Sequence, residues 1–284
     1  MPKSPLKNDA SPPECDGYAR EKDAGSANSS AIGATEDTQS CRPVRSGGRG
    51  FVPQQPSKTV AIFDLDGTLV VGQTQVLLVK FLRKARVVSR TFVIGTALWF
   101  VAYQAGLVKV TQASRAKGAE ILAGLSKERA DELMACFTEE VMVPRLHPAA
   151  MAALKEHLAE GDHVVVVSAA LDPLVQALCG HLGVDEHAGA RCELVDGCYT
   201  GRLLGPVPYA HLKAQVAAAL IAQRGADPAD CWAYADHDTD LDLLRFVGHP
   251  VAVNPRPGLR SEAERRGWPI LVSPEYESGG ASNG

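Results

Sequence analysis

The sequence predicts an α/β fold with a doubly wound parallel sheet and a helical segment inserted after the first strand. The run Thr59–Phe63 is almost wholly apolar, which is typical of a strand buried on both faces. Beyond residue 160, apolar runs alternate with helical patterns, and this alternation favours parallel strands joined by crossover helices. Between the first two predicted strands, about a hundred residues show mostly helical periodicity. These residues form the predicted insert.

Helices are predicted where apolar residues recur at helical spacing. Ser126 is the expected N-cap of one helix. Asp172, followed by Pro173, is the expected N-cap of another helix, which runs to about Leu182. The other predicted helical spans are Gln75–Arg86, Thr111–Leu122, Lys127–Met142, Pro148–Glu160, Tyr209–Arg224 and Leu241–Phe246.

Further strands are predicted from short apolar runs between turn-forming residues. The dipeptide Asp196-Gly197 predicts a hairpin that joins Ala190–Leu194 to Cys198–Leu203. The strands predicted for the main sheet after the first are Asp162–Ser168, Cys231–Ala235, His249–Val253 and Trp268–Val272.

Composition sets limits on the class of protein. A net charge of -4 and a pI near 6.1 give no reason to expect a nucleic-acid partner. The seven cysteines are odd in number and show no Cys-x-x-Cys spacing, so neither a zinc site nor a disulfide framework is indicated. This cysteine usage suits a reducing compartment, and we expect a cytoplasmic location.

The chain ends differ in composition from the rest. Residues 1–57 are rich in Ser, Gly, Pro and acids, and we expect a disordered extension, because such a segment cannot bury enough apolar surface to order itself. Residues 275–284 are expected to form a flexible tail. The remaining chain divides into a predicted core of residues 58–72 and 144–274 and a helical insert of residues 73–143.

Two acids, Asp64 and Asp66, directly follow the first strand. The carboxyl ends of strands are where open α/β sheets bind ligands. Buried carboxylates repel each other unless a cation or a proton separates them, so the pair indicates a metal site. A calcium loop or a simple turn is the alternative, but the residues after Gly67 are mostly apolar and offer few oxygen ligands.

The run Phe63–Leu69 resembles the first signature, Asp-x-Asp-Gly-Thr, of the haloacid dehalogenase-like hydrolases. The other three signatures of that family also have counterparts, in order: Val164–Ser168, Lys213 within Tyr209–Ala214, and Tyr234–Leu244. The resemblance implies an α/β core of the Rossmann type. The helical insert resembles the cap domain of the subgroup, subfamily IB, that includes phosphoserine phosphatase.

The resemblance implies hydrolysis of a phosphate monoester through an aspartyl phosphate. Asp64 would be the nucleophile, and Asp66 the general acid and base. The implied cofactor is Mg²⁺, held by the Asp64 side chain, the Asp66 carbonyl and Asp236. Ser168 and Lys213 would bind the phosphoryl group.

The fourth signature gives Asp240 a supporting role, in which it holds Lys213 or a metal-bound water. It also departs from the family pattern, because Ala235 stands where Gly is common and His237 where Ser is common. His237 could donate a hydrogen bond to phosphate, although a solvent-facing loop histidine is the expectation we prefer.

The substrate is predicted only by class, as a small-molecule phosphate such as histidinol phosphate or another metabolite. Phosphoserine phosphatases have a Glu that contacts the substrate ammonium where this chain has Gln73, so weak phosphoserine activity is expected. Arg115 and Lys117 lie near the expected place of a cap arginine that binds the substrate carboxylate.

Three alternatives remain at this level, and a phosphoserine phosphatase is the first of them. The uncharged segment Thr91–Val108 would suit a buried cap helix or a dimer surface, or else a membrane-docking cap that admits a lipid phosphate, which we favour less. In a different class, the protein would be a phosphate-dependent binding module without turnover. Retention of all five principal site residues disfavours that class: Asp64, Asp66, Ser168, Lys213 and Asp236.

Overall fold

A parallel sheet of six strands lies at the centre of the part of the chain that the structure describes. In chain order its strands are β1 (Val60–Phe63), β2 (His163–Leu171), β3 (Glu186–Ala190), β6 (Trp232–Ala235), β7 (His249–Val253) and β8 (Ile270–Leu271). Their order across the sheet is β3-β2-β1-β6-β7-β8, and every neighbouring pair is parallel. The predicted doubly wound parallel sheet is confirmed.

The structure is a computed structural model that describes residues 59–88, 95, 98, 117–184 and 186–272. Several predictions fall outside these residues: the extension 1–57, the tail 275–284, most of Thr91–Val108, and Arg115. The division into core and cap stays a prediction. No helix that the structure describes is both long and apolar enough to span a lipid bilayer.

The strand order reverses between β1 and β6, which lie side by side in the sheet. Phe63 at the end of β1 is paired with Val166 of β2 on one side and with Tyr234 of β6 on the other. The backbone N–H of Asp64 continues this ladder and donates to the carbonyl of Tyr234 at 2.9 Å. The loops that follow β1 and β6 therefore leave the sheet next to each other, at the kind of position where doubly wound sheets bind ligands.

Both faces of the sheet are buried because successive strand residues point to opposite sides. Ala61 and Phe63 belong to one hydrophobic cluster, while Val60 and Ile62 belong to a second cluster on the other face. The aromatic ring of Phe63 stacks on that of Tyr234, with centroids 4.2 Å apart. This packing fixes the ends of β1 and β6, from which the acidic residues project.

The helices of the described residues largely follow the predicted spans. They are α1 (Thr74–Lys84), α2 (Lys127–Phe137), α3 (Pro148–Glu160), α4 (Asp172–Leu182), α5 (His211–Gln223), α6 (Leu241–Phe246) and α7 (Pro257–Arg266). The predicted N-cap of α2 is confirmed, since the Ser126 side chain accepts a hydrogen bond from the backbone N–H of Arg129 at 3.2 Å.

Several boundaries were predicted wrongly. The N-cap of α4 is Leu171, and Asp172 is the first helical residue, whose carboxylate instead accepts a hydrogen bond from the Gly189 N–H at 3.2 Å. The predicted helix Lys127–Met142 changes to a π-helical turn after Phe137. The described end of Thr111–Leu122 is a 3-10 helix, Lys117–Leu122.

Some strand boundaries also differ from the predictions. Strand β2 extends three residues beyond Ser168, to Leu171. Ala190 ends β3 and does not begin the hairpin. Strand β3 and helix α7 were not predicted at all.

The predicted hairpin is formed by β4 (Cys192–Val195) and β5 (Cys198–Leu203). On its other side, β5 pairs with the segment that precedes α2. The N–H of Gly124 donates to the carbonyl of Tyr199, the N–H of Tyr199 to that of Leu125, and the N–H of Lys127 to that of Gly197, each at 2.8 Å. Backbone hydrogen bonds therefore join the hairpin to residues 124–127, which fall within the predicted helical insert.

Candidate active site

The loop after β1 turns sharply so that its two carboxylates meet the start of α1. Gly67 has φ +80°, a left-handed conformation that glycine adopts readily. The backbone N–H of Thr74, at the start of α1, donates to Oδ1 of Asp66 at 2.6 Å. Asp64 accepts a 2.7 Å hydrogen bond from the N–H of Leu65 on its own Oδ1. Local backbone donors thus fix both side chains.

The first turn of α5 brings Lys213 into the same site. Its Nζ lies 2.8 Å from Oδ1 of Asp64 and 2.9 Å from Oδ1 of Asp240, which follows β6 in a short 3-10 turn. Lys213, Asp64 and Asp240 are all buried. The ammonium therefore bridges two carboxylates, and its contact with Asp240 corresponds to one of the two roles predicted for that residue.

Asp236 completes an acidic cluster at the carboxyl end of β6. One carboxylate oxygen each from Asp64, Asp236 and Asp240 lie within 4.8 Å of one another. A Cβ atom added to Gly67 would stand 2.2 Å from Oδ2 of Asp236, so only glycine lets the β1 loop approach this carboxylate so closely. The cluster therefore depends on the backbone of the first loop as well as on the acids themselves.

Burial makes the charged forms of these acids costly. It is the main cause that raises the pKa of Asp64 to about 6, an effect that the nearby Lys213 opposes. Burial likewise raises the pKa of Asp66 to about 6 and is opposed by the hydrogen bond from Thr74. For Asp236, burial and then the charges of Asp64 and Asp240 raise the pKa to about 8.

Ser168 lies on β2, beside the end of β1. Since Phe63 is paired with Val166, Ser168 is two positions further along the neighbouring strand, at the same edge of the sheet as Asp64. Its side chain is buried, and its Oγ accepts a hydrogen bond from the N–H of Ala170 at 3.1 Å. The hydroxyl hydrogen is therefore free to point elsewhere, as a phosphate contact would need.

The remaining predicted residues are His237, Gln73, Lys117 and Arg115. His237 is half-buried rather than solvent-facing, and its Nδ1 accepts a hydrogen bond from the N–H of Thr239 at 3.0 Å. Gln73 is exposed next to Thr74. The structure describes the backbone of Lys117, in a 3-10 helix, while Arg115 lies outside the described residues.

Sequence reasoning missed one basic residue of the site, Arg256. Its backbone N–H donates to the carbonyl of Asp236 at 2.9 Å, and its Nε lies 3.9 Å from Oδ2 of the same residue. Arg256 follows β7, the strand next to β6, so its place at this edge could have been found from the strand order. No motif in the sequence marks it.

The family model of haloacid dehalogenase-like hydrolases matches residues 61–245, which include every acid of the cluster and Lys213. The chain belongs to this family of hydrolases.

Relatives among known proteins agree with this assignment. An inhibition of morphological differentiation protein of Streptomyces azureus is 32% identical over 75% of this chain and 78% of its own length. A histidinol-phosphatase of Neisseria meningitidis is 30% identical over 75% of this chain and 98% of its own length. A solved structure of a protein of unknown function from Bordetella pertussis has a TM-score of 0.66 and 27% identity, over 75% of this chain and 97% of that one.

Solved phosphoserine phosphatases share the fold. One in the apo form has a TM-score of 0.55 at 20% identity and covers 76% of this chain and 94% of its own. At that identity the likeness supports the α/β architecture and no more.

Proposed function

We propose that the protein is a Mg²⁺-dependent phosphomonoesterase that acts on a small-molecule phosphate through an aspartyl phosphate. The observation that supports this most directly is the contact between Lys213 and Asp64, which favours the ionised form of a buried carboxylate close in sequence to a further acid, Asp66. The family membership and the similarity to a histidinol-phosphatase point in the same direction.

The donor set fits a magnesium ion. Mg²⁺ prefers oxygen ligands, and the cluster offers the carboxylates of Asp64 and Asp236. The family resemblance adds the backbone carbonyl of Asp66 as a third ligand. The glycine at position 67 leaves space against Oδ2 of Asp236 that a Cβ would fill. When bound, the ion would supply positive charge that lets an anionic phosphate approach an anionic nucleophile.

In the proposed first step, Oδ2 of Asp64 attacks phosphorus. Lys213 and Leu65 both bind Oδ1, so Oδ2 is the oxygen that keeps its lone pairs for the attack. The bond from phosphorus to the alcohol oxygen breaks, and Asp66 donates a proton to that oxygen. A pKa raised to about 6 suits Asp66 to this exchange near neutral pH.

In the proposed second step, water attacks the aspartyl phosphate. Asp66 takes a proton from the water, and the bond between phosphorus and Asp64 breaks, which regenerates the carboxylate of Asp64 and the protonated Asp66. Throughout, Lys213 and the hydroxyl of Ser168 would stabilise the phosphoryl oxygens, because fixed donors aimed at developing charge lower the barrier most. Asp240 would keep Lys213 in place.

The substrate we favour is histidinol phosphate or a metabolite of similar size. One relative, 30% identical over 80% of this chain, is named a phosphoserine phosphatase of Mycobacterium tuberculosis, so phosphoserine remains a second candidate. The lipid-phosphate alternative depends on Thr91–Val108, of which the structure describes only Gly95 and Leu98.

Phosphate release from a panel of phosphoserine, histidinol phosphate, lysophosphatidate and sugar phosphates tests the proposal. We expect release that requires Mg²⁺, stops with EDTA, and falls by at least about a thousandfold in Asp64→Asn. Asp242→Asn is the matched control, because Asp242 is an exposed acid in the same C-terminal motif. Asp64→Asn with undiminished turnover would refute the mechanism.

A folded protein that releases phosphate from no compound, yet binds phosphate in calorimetry, would instead favour the non-catalytic binding module. Folding is checked by circular dichroism and thermal unfolding of the same preparations.

A further inference from the structure

Thr74, the first residue of α1, is fixed beside Asp66, the proposed general acid and base. Its backbone N–H donates to Oδ1 of Asp66 at 2.6 Å. Gln73, the residue before the helix, provides no side-chain cap, and the first turn of α1 contains no acid. The Asp66 carboxylate therefore acts as the cap that an N–H group at the start of a helix needs.

The hydroxyl group of Thr74 is buried but unused in the resting site. Thr74 is 0% exposed, and its Oγ1 has no hydrogen-bond partner among the residues that the structure describes. A buried polar atom without a partner is unfavourable, and native structures contain few of them. Such an atom beside a reacting group points to a partner that is gained in another state of the site.

The Asp66 carboxylate is the partner within reach. The N and Oγ1 atoms of a threonine are separated by only three bonds, so a carboxylate bound by the N–H lies near the hydroxyl of the same residue. Burial raises the pKa of Asp66 to about 6, and the N–H and the hydroxyl of Thr74 both oppose that rise, as donors close to a carboxylate do. Rotation of the hydroxyl or of the carboxylate would therefore complete a second hydrogen bond.

The local chain fixes both residues, so the second hydrogen bond would have a defined direction. The N–H of Gly67 donates to the carbonyl of Val70 at 2.8 Å, which closes the loop after Asp66. Helix α1 is anchored in the core by buried side chains, including Leu78 and Leu82. A donor held on a packed helix orients its acceptor better than one on an exposed loop.

We propose that Thr74 is a positioning residue for Asp66, whose Oδ1 accepts from the Thr74 hydroxyl as well as from the N–H when substrate is bound. Two donors on Oδ1 leave Oδ2 as the oxygen that gives a proton to the leaving alcohol and later takes one from water. Thr74 itself transfers no proton. The inference rests on the proposed phosphatase function and applies to histidinol phosphate as to other esters.

The test compares three phosphate esters whose leaving groups need protonation to different degrees. Histidinol phosphate releases an alkoxide, the most basic of the three. Phenyl phosphate releases a phenolate, and p-nitrophenyl phosphate releases a weakly basic nitrophenolate that leaves without a proton. The first of these esters therefore depends most on a well-placed acid, and the last depends least.

Wild type, Thr74→Val, Thr74→Ser and Thr138→Val are assayed with Mg²⁺. Valine has nearly the shape of threonine without the hydroxyl, while serine keeps the hydroxyl. Thr138→Val is the matched control, since Thr138 is also a buried threonine, 1% exposed, and lies in the π-helical turn after α2. The quantity compared is kcat/KM, because it reports the first step, in which the leaving group is protonated.

Thr74→Val should lower kcat/KM about tenfold for histidinol phosphate, less for phenyl phosphate, and by no more than about twofold for p-nitrophenyl phosphate. Thr74→Ser should stay within about twofold of the wild type for every ester, because it retains the donor. Thr138→Val should match the wild type. The Mg²⁺ affinity of Thr74→Val in calorimetry should also match it, since the substitution leaves the acids of the cluster in place.

Three results would overturn the inference alone. They are unchanged kcat/KM of Thr74→Val for the alkyl and phenyl esters, a loss in Thr74→Ser as large as in Thr74→Val, and an equal loss for all esters, which would mean that the hydroxyl only supports the structure. Each leaves the phosphatase proposal intact, provided that the wild type hydrolyses p-nitrophenyl phosphate with Mg²⁺. The two aryl esters make the comparison even if histidinol phosphate is not hydrolysed. Hydrolysis of none of the esters by the wild type would overturn both proposals.

Discussion

The Nζ of Lys213 lies 2.8 Å from Oδ1 of Asp64, and the two side chains are only 4% and 9% exposed. Each charge alone would be unfavourable at such depth, because burial disfavours charged groups. Asp240 lies 2.9 Å from the same Nζ, so Lys213, Asp64 and Asp240 form a buried group of one ammonium and two carboxylates. The excess negative charge is what a bound cation would offset.

Replacement of Lys213 by methionine should leave two buried carboxylates without their partner. We expect the free energy of unfolding to fall by about 3 kcal/mol at pH 8, because an uncompensated buried charge is strongly destabilising. The loss should be smaller at pH 5, where the acids can take up protons. Urea unfolding followed by circular dichroism measures both values.

Lys155→Met is the control for that experiment, since Lys155 is exposed on α3. The same change in stability in both variants, or a loss for Lys213→Met that is independent of pH, would contradict the electrostatic explanation.

The metal-free protein should lose stability as the pH rises from about 4 to about 8. The pKa of Asp236 is raised from 3.8 to about 8 in the folded state, mainly by burial. The folded state therefore binds a proton more tightly than the unfolded state, and this contribution, complete below pH 4, disappears as the pH passes the folded pKa. Asp64 and Asp66, each with a pKa of about 6, add to the same trend.

Thermal unfolding in EDTA between pH 5 and pH 8.5 measures this trend. Asp236→Asn should flatten the profile and be more stable than the wild type at pH 8, by about 2 kcal/mol, because the amide need not lose a proton. Added Mg²⁺ should stabilise the wild type more at pH 8 than at pH 6. If the stability of the wild type in EDTA instead rose toward pH 8, the pKa values of these acids would not be raised in the folded state.

Gly67→Ala should weaken Mg²⁺ binding by at least about tenfold, the scale on which a displaced ligand changes metal affinity. The added Cβ would lie 2.2 Å from Oδ2 of Asp236, so this carboxylate would have to move. Isothermal titration calorimetry with Mg²⁺ measures the affinity without reference to turnover.

Gly72→Ala separates this contact from backbone strain. Gly72 also has a positive φ, +101°, but its added Cβ would meet nothing closer than Leu77 at 3.8 Å. Equal loss of Mg²⁺ affinity in both variants would mean that the left-handed backbone, and not the clash with Asp236, limits binding.

The parts of the site predicted from sequence are those with a strong local signal. The strand that ends at Phe63 and the acids after it follow from one apolar run and one loop. The pairing of Lys213 with Asp240 was one of two alternatives at the sequence level, and only the placement of α5 beside the 3-10 turn Asp238–Asp240 distinguishes them. Arg256 has no local signal, because its role comes from the order of the strands.

The missed elements have physical reasons. Strand β3, Glu186–Ala190, contains no β-branched or large apolar residue, and it is a strand because β2 offers it backbone partners. Helix α7 is mostly polar, so apolar periodicity does not reveal it. Its ends do carry a usable signal, with Pro257 in its first turn and Gly267 just after its end.

Ser126→Cys should form a disulfide with Cys198 under mild oxidation. Ser126 and Cys198 face each other as an antiparallel bridge. The N–H of Lys127 donates to the carbonyl of Gly197, and the N–H of Tyr199 donates to that of Leu125. Because these bonds flank the bridge, Ser126 and Cys198 form a non-hydrogen-bonded pair. Such pairs have Cα atoms about 4.5 Å apart, which a disulfide can span. Non-reducing electrophoresis and mass spectrometry of peptides detect the bond, and Ser126→Cys/Cys198→Ser is the control.

The turnover of the oxidised variant then shows whether this contact opens during catalysis. We expect phosphate release within about twofold of the reduced variant, because three backbone hydrogen bonds of 2.8 Å join the two segments in the resting protein and a bond between them adds little. Large loss of release on oxidation, restored by dithiothreitol, would instead mean that the helical insert must separate from the hairpin to admit substrate.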